Sequence, residues 1–187
     1  IAYGHGIAVS PLHLANAVAA VVNGGILHPA TLIRRARGAA IPGTRILSAK
    51  TSRQMRQLLR LVVEDGTGRN ADTPGYLVGG KTGTAEKQVG GRYRRKALIS
   101  SFVAAFPIHA PRYIVVAMLD EPKGIRDSYG FATGGWTAAP VVGRIIARIA
   151  PVMGIAPFDE QAPQIRHALA IDAPATLEQR RRRVASN

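Results

Sequence analysis

The 187 residues contain no cysteine, carry 25 Lys and Arg against 11 Asp and Glu for a formal charge of +14, and are 47% hydrophobic. Disulfides, thiolate metal sites and thiol catalysis are excluded, the apolar content is too high for a wholly disordered chain, and one sizeable core can be buried. The longest strongly apolar run, in LANAVAAVV, falls far short of the roughly 20 residues that a bilayer crossing needs. The sequence opens at Ile1 with neither an initiator methionine nor a signal-peptide pattern, and reads as a piece of a longer chain.

In VSPLHLANAVAAVVNGG, Ser10 is a natural N-cap, Pro11 suits the first helical position, and Asn23 to Gly25 supply a stop. The body is apolar nearly all round, which predicts a helix buried deep in a larger domain. After an irregular stretch rich in Gly, Pro and Arg, a second helix is expected from Ser48 to Glu64. Met55, Leu58, Leu59, Val62 and Val63 recur at helical spacing and Arg53, Arg56 and Arg60 take the other face, the pattern of an amphipathic surface helix.

From Gly79 the texture changes to strands, expected over 79–88, 97–106 and 112–119 and joined by short connections as an antiparallel meander. The polar QVGGRYRRK reads as the solvated tip of the first hairpin, and the apolar character of the later strands predicts a sheet covered on both faces. A last helix over 137–150 puts Val141, Val142, Ile145, Ile146 and Ile149 on a face opposite Arg144 and Arg148. The order of elements is that of an α+β protein with an antiparallel sheet covered by helices. Residues 1–154 would form the folded part and 155–187, with the run Arg180 to Arg183, a basic, Pro-containing disordered tail. Such a charge run favours anionic partners of any kind, but no stacking-aromatic motif accompanies it and nucleic acid is not an expected partner.

GYLVGGKT, residues 75–82, fits the phosphate-loop pattern G-x-x-x-x-G-K-[ST]. That reading needs a strand before Gly75 and a helix from Lys81, and neither context is present. The alternative for Lys81, Thr82, Gly83 and Thr84 is the K-T-G box of serine acyl-enzymes acting on D-alanyl peptides and β-lactams. In that chemistry the lysine ammonium stands beside the nucleophile, threonine hydroxyls bind a substrate carboxylate, and Gly83 avoids bulk that would close the cleft. The Thr84 N–H would face the developing oxyanion.

Three stretches carry a resemblance along most of the chain: GHGIAVSPLHLANAVAAVVNGG at 4–25, GTGRNADTPGYLVGGKTGTAEK at 66–87 and GGWTAAPVVGRII at 134–146. They resemble the class B penicillin-binding proteins, the D,D-transpeptidases that cross-link peptidoglycan, and most closely the septal, cell-division type, with His13 where glutamine is commoner. The resemblance implies the C-terminal half of a penicillin-binding transpeptidase, serine β-lactamase-like fold. It also implies a domain facing the periplasm from an upstream membrane anchor, stem peptides and β-lactams as ligands, no cofactor, and a membrane glycosyltransferase and divisome proteins as partners. Carried onto these residues, it gives Lys81 and Thr84 catalytic roles and Thr82, Gly83 and Thr84 substrate-binding ones.

The family's S-x-x-K and [SY]-x-N motifs do not occur: no serine has lysine three residues on, and none of Asn16, Asn23, Asn70 or Asn187 follows Ser or Tyr by two. A nucleophile is therefore missing, and these residues alone are expected to be inactive. A degenerate, non-catalytic binding module is the alternative. The five histidines show no metal-ligand spacing, Ser100 and Ser101 have no neighbouring base, and the pairs Glu64–Asp65 and Asp120–Glu121 are adjacent and so do not share a helix face. Tyr129, Phe131, Thr133, Gly134 and Trp136 form an aromatic, glycine-rich loop that fits either a groove wall or core packing.

Overall fold

A computed structural model describes residues 7–36 and 38–171. The first helix, α1, spans Pro11–Val22: Ser10 Oγ accepts from the His13 N–H at 3.2 Å and Asn23 caps the far end. Its expected all-round burial is not found. Ala20 and Val22 are buried while Leu12 is 55% exposed, because the described residues cover α1 chiefly along its C-terminal half. A two-residue ribbon follows, β1 Ile26–Leu27 pairing with β2 Thr44–Arg45 inside the stretch expected to be irregular.

Three long strands form the main sheet: β3 Gly79–Val89, β4 Arg92–Phe106 and β5 Tyr113–Asp120, antiparallel in the order β3-β4-β5. This is the expected meander, with its first two strands longer and the third displaced by one residue. The connection read as a nine-residue loop is only Gly90 and Gly91, both at positive φ, 59° and 79°, where the left-handed conformation matches the twist of a tight hairpin. The remaining polar residues are taken up by β4 and by a register shift: Glu86 opposes Leu98 but Lys87 opposes Arg94, so residues 95–97 bulge out of the ladder.

Strand alternation sorts the core into two layers. Phe102, Ala104 and Phe106 of β4, with Ala117, pack against α3, Ala138–Val152, through Ala139, Val142 and Ile146. Ala105 and Ile108 face Val22 of α1 and Leu59 of α2, Ala49–Glu64. Helices thus cover both faces.

Two expectations need correction. Ile155 is buried, the Phe158 N–H donates to Gly75 O at 2.7 Å, and the Glu160 carboxylate accepts from the Gly75 N–H at 2.6 Å. A short helix, α4 Pro163–Leu169, then seats buried Ile165 in the layer of Leu59 and Leu77, and Gln57 Nε2 donates to Ala170 O at 2.6 Å. The segment from 155 to 171 is therefore part of the packed body: three large apolar side chains, Ile155, Phe158 and Ile165, suffice when the body offers a matching seat. Residues 172–187, with Arg180 to Arg183, lie outside the described residues.

The second correction concerns α2. Its N-cap is as expected, with Ser48 Oγ accepting from the Thr51 N–H at 3.0 Å, but Arg60 is 4% exposed, not solvated. Its guanidinium meets Glu64 at 2.9 Å, Asp72 at 2.8 Å and Glu160 at 3.4 Å, and donates to Val78 O at 3.0 Å. Burial opposes the charge, yet the hydrogen bonds and attraction of Asp72 and Glu64 outweigh it and raise the Arg60 pKa above its usual value. Leu58, expected on the apolar face, is 48% exposed. The helix is rotated so that its basic side meets the C-terminal segment.

Arg60→Ala strands carboxylates assembled around a buried cation, so we expect about 3 kcal/mol of destabilisation, read as a lower urea midpoint at unchanged m-value. A second expectation follows from His109, whose Nδ1 is buried without a protein hydrogen-bond partner and whose ring meets Phe158 edge-on at 4.6 Å. Desolvation, then repulsion from Arg56, lowers its pKa. The folded state thus holds His109 neutral while the unfolded chain binds a proton below about pH 6.5. Stability should therefore be fully present above that pH and decline as pH falls through the window below it, and His109→Gln should flatten the urea-midpoint profile there.

Candidate active site

Lys81, Thr82, Gly83 and Thr84 lie in register on β3, opposite Val103, Phe102, Ser101 and Ser100 of β4. Because β3 is an edge strand among the described residues, alternate backbone N–H and C=O groups face away from β4. The Lys81 Nζ donates to Thr82 O at 2.9 Å and to Thr82 Oγ1 at 3.4 Å. An exposed ammonium can reach that carbonyl because it points out of the sheet. By the two-residue repeat, the N–H and C=O of Thr84 point to the same open edge.

The side chains obey the same alternation. Thr82 and Thr84 share the face that packs on Phe102 and α3, whereas Lys81 and Gly83 share the other. Both threonine hydroxyls line an open groove of about 540 Å³ with Thr67, Asn70, Thr133 and Trp136. Thr82 Oγ1 lies 3.0 Å from Thr67 Oγ1, and Thr84 Oγ1 accepts from the Gly134 N–H at 3.0 Å. With its lone pair engaged by Gly134, the Thr84 hydroxyl keeps its proton free to donate into the groove. The arrangement is two hydroxyls and one backbone N–H beside a lysine ammonium, a set of donors suited to a carboxylate and a developing oxyanion.

The loop before α3 completes this groove. A Cβ on Gly134 would lie 2.3 Å from Ser101 O and 2.6 Å from Gly83 O, so only glycine lets the loop approach β3 closely enough for its N–H to reach Thr84. Asn70 Nδ2 donates to Gly135 O at 2.8 Å and fixes the same loop from the other wall. Tyr129 and Phe131 both contact the Trp136 ring, at 5.5 and 6.3 Å between centroids, while remaining 78% and 55% exposed. They pack on one another and present an aromatic rim, so the two readings of that segment combine.

A Cβ on Gly83 would lie 2.5 Å from Ser101 Oγ, on the face away from Thr82 and Thr84, so a side chain there would displace that hydroxyl. Gly83 also lines an open cleft on that face. Ser100 donates to Ala132 O and is tied up by structure. Glu64 serves Arg60, and Asp120 and Glu121 serve Lys87 at 2.7 and 3.3 Å, which holds the Lys87 pKa above its usual value through those hydrogen bonds. Among the described residues, no three His, Asp or Glu side chains come together to hold a metal ion. The phosphate-loop alternative fails because Lys81 lies within an uninterrupted strand and no helix starts there.

Sequence reasoning missed the role of Thr67, whose signal, GTG in a loop, was faint. Thr133 and Gly134 lie in the loop expected either to flank a groove or to pack in the core, and they stand at the groove.

Residues 1–147 match the penicillin binding protein transpeptidase domain family. The chain is 48% identical over 162 residues to a protein of Caulobacter vibrioides named probable peptidoglycan D,D-transpeptidase FtsI, a match covering 82% of this chain and 28% of that protein. In structure it resembles the transpeptidase domain of Burkholderia pseudomallei penicillin-binding protein 3, with a TM-score of 0.73 and 38% identity over 83% of this chain and 46% of that one. Mycobacterium tuberculosis penicillin-binding protein 3, solved with ampicillin, gives a TM-score of 0.71 at 26% identity, covering 91% of this chain and 40% of that one. The chain therefore spans between a quarter and a half of these three proteins, and its donor-lined β3 edge lies inside the matched stretch: it belongs to the penicillin-binding protein transpeptidase family.

Proposed function

We propose that this chain supplies the carboxylate- and oxyanion-binding edge of a serine-type peptidoglycan D,D-transpeptidase of the cell-division kind. The observation that carries the reading is the placement of the Thr82 and Thr84 hydroxyls in one groove, with the Thr84 N–H on the open edge of β3 and the Lys81 ammonium at its side. The terminal carboxylate of a D-alanyl stem peptide, or the carboxylate of a β-lactam, takes the two hydroxyls. Its scissile carbonyl then lies along β3 with the oxygen towards the Thr84 N–H, where charge develops as the tetrahedral intermediate forms. Lys81 stabilises the bound anion and the proton network of the nucleophile. Binding, orientation and charge stabilisation thus come from these residues.

The nucleophile does not. None of the 187 residues forms S-x-x-K, so the acyl-enzyme has to be made on a serine carried by other residues of a transpeptidase. A periplasm-facing location, a membrane glycosyltransferase and divisome proteins as partners belong to the same proposal. No helix of the described residues is long and apolar enough to cross a membrane.

Fluorescent penicillin should leave no covalent adduct on this polypeptide, whereas an adduct would defeat the reading. In a transpeptidase that joins S-x-x-K and [SY]-x-N to this sequence, Lys81→Ala should slow β-lactam acylation by roughly ten- to a hundredfold, the loss of a charge-assisted contact. Thr84→Val, which keeps the strand and the N–H but removes the hydroxyl, should weaken capture of a carboxylate-bearing ligand about tenfold. Acylation at the parent rate in both variants would assign the site to something else.

A further inference from the structure

The short ribbon of β1 and β2 holds out a loop that is apolar and basic at once. Its neck is closed: Ile26 opposes Arg45, Leu27 opposes Thr44, and His28 Nδ1 lies 2.9 Å from Pro42 O. Gly43 permits this closure, since a Cβ there would lie 2.6 Å from both His28 Nδ1 and Ile26 Cγ2. Beyond the neck, Leu32 is 97% exposed and Ile33 81%, and the Ile33 N–H donates to Thr31 Oγ1 at 3.0 Å. Ile41, on the returning limb, is exposed as well.

Adjacent large apolar side chains left in water mark an interaction surface, and the charge beside them says which kind. Arg34 and Arg35 follow directly, both exposed and neither in an ion pair with any described residue. No Asp or Glu occurs before Glu64, so this stretch of chain carries no carboxylate to compete for them. Arg45 on β2, and Lys50 and Arg53 in the first two turns of α2, add exposed cations. Three apolar side chains on one loop are too little for a stable protein interface, which buries about 800 Å² on each partner. A fluid anionic surface needs no matching pocket: apolar side chains enter it singly while arginines stay at the charged headgroups.

We infer that the loop between β1 and β2 is a docking element for an anionic phospholipid surface, with Leu32 and Ile33 entering the acyl region and Arg34 and Arg35 paired with lipid phosphates. The closed neck keeps the apolar pair projected away from the body. Binding then has two separable parts: the arginines supply an attraction that salt screens, and the apolar pair supplies one that salt does not. None of this rests on the transpeptidase reading, because neither the loop nor the lipid enters the chemistry at β3.

The test is a vesicle titration of the 187-residue chain. Because the chain has no cysteine, Ala30→Cys can carry an environment-sensitive NBD label beside Leu32 and Ile33 without replacing them, and Val152→Cys, exposed at the end of α3, carries the same label as a control. Arg180→Gln, Arg181→Gln, Arg182→Gln and Arg183→Gln are made in both, which removes the other obvious concentration of charge. With phosphatidylglycerol vesicles the label at 30 should shift to the blue and saturate, and the label at 152 should not. Phosphatidylcholine vesicles should leave both unchanged. Leu32→Ser with Ile33→Ser should weaken partitioning about tenfold or more, the loss of two apolar side chains, and Arg34→Gln with Arg35→Gln should do so by a similar factor. All four side chains are exposed, and an unchanged urea midpoint checks that the variants fold. Equal response to neutral vesicles, an equal shift at both labels, or partitioning untouched by either pair of substitutions would each overturn the assignment. So would an absence of partitioning, which would leave Leu32 and Ile33 to a protein surface instead.

Discussion

The Arg60 guanidinium is the point on which the geometry of the β3 edge depends. It is buried, it ties the end of α2 to Asp72 in the following loop and to Glu160 in the C-terminal segment, and it donates to Val78 O immediately before Gly79. A cation so placed is a net gain only when its partners are all present, since desolvation of a lone charge costs several kcal/mol. The loop, the strand entry and the C-terminal segment are therefore set together. Leu77, buried at φ 47°, shows how tightly the chain is held there: a non-glycine residue stays left-handed only when its surroundings determine it.

From that fixed entry, alternation along β3 does the rest. It sends Thr82 and Thr84 to one face, Lys81 and Gly83 to the other, and the Thr84 N–H to the open edge. A shift of one residue would exchange the two faces. The close approach of Gly134 to the backbone of Gly83 and Ser101 and its hydrogen bond to Thr84 hold the strand at the site itself.

Much of this was legible in the residues. Ser10 and Ser48 announce α1 and α2 because a hydroxyl at an N-cap is a local signal, complete within four residues. The K-T-G-T stretch and the meander are likewise local. Arg60 was not legible, because its partners Asp72 and Glu160 lie 12 and 100 residues away and an arginine on a polar helix face is ordinarily solvated. Thr67 joins Thr82 across 15 residues and was hidden for the same reason, whereas the loop of Gly134, 50 residues from its partner Thr84, announced itself by its glycines and aromatics. The C-terminal segment was read as a tail on composition, which measures how much apolar material is present and not whether a seat exists for it. The Gly90–Gly91 turn was read as the middle of a loop because polar residues flank it, although strand pairing depends on backbone and accepts polar side chains on an exposed tip.

The segment from Ile155 to Ala170 has a consequence for what counts as the unit of this fold. The family match stops at residue 147, five residues before α3 ends, yet Ile155, Phe158 and Ile165 fill the two core layers and Glu160 holds both Arg60 and the Gly75 N–H. The border of the family model and the border of the packed body therefore fall in different places. A polypeptide cut at residue 147 would keep every residue of the K-T-G-T edge and lose a side of the frame that holds it. The likeness to solved structures runs further, covering up to 91% of the chain, as the packing does.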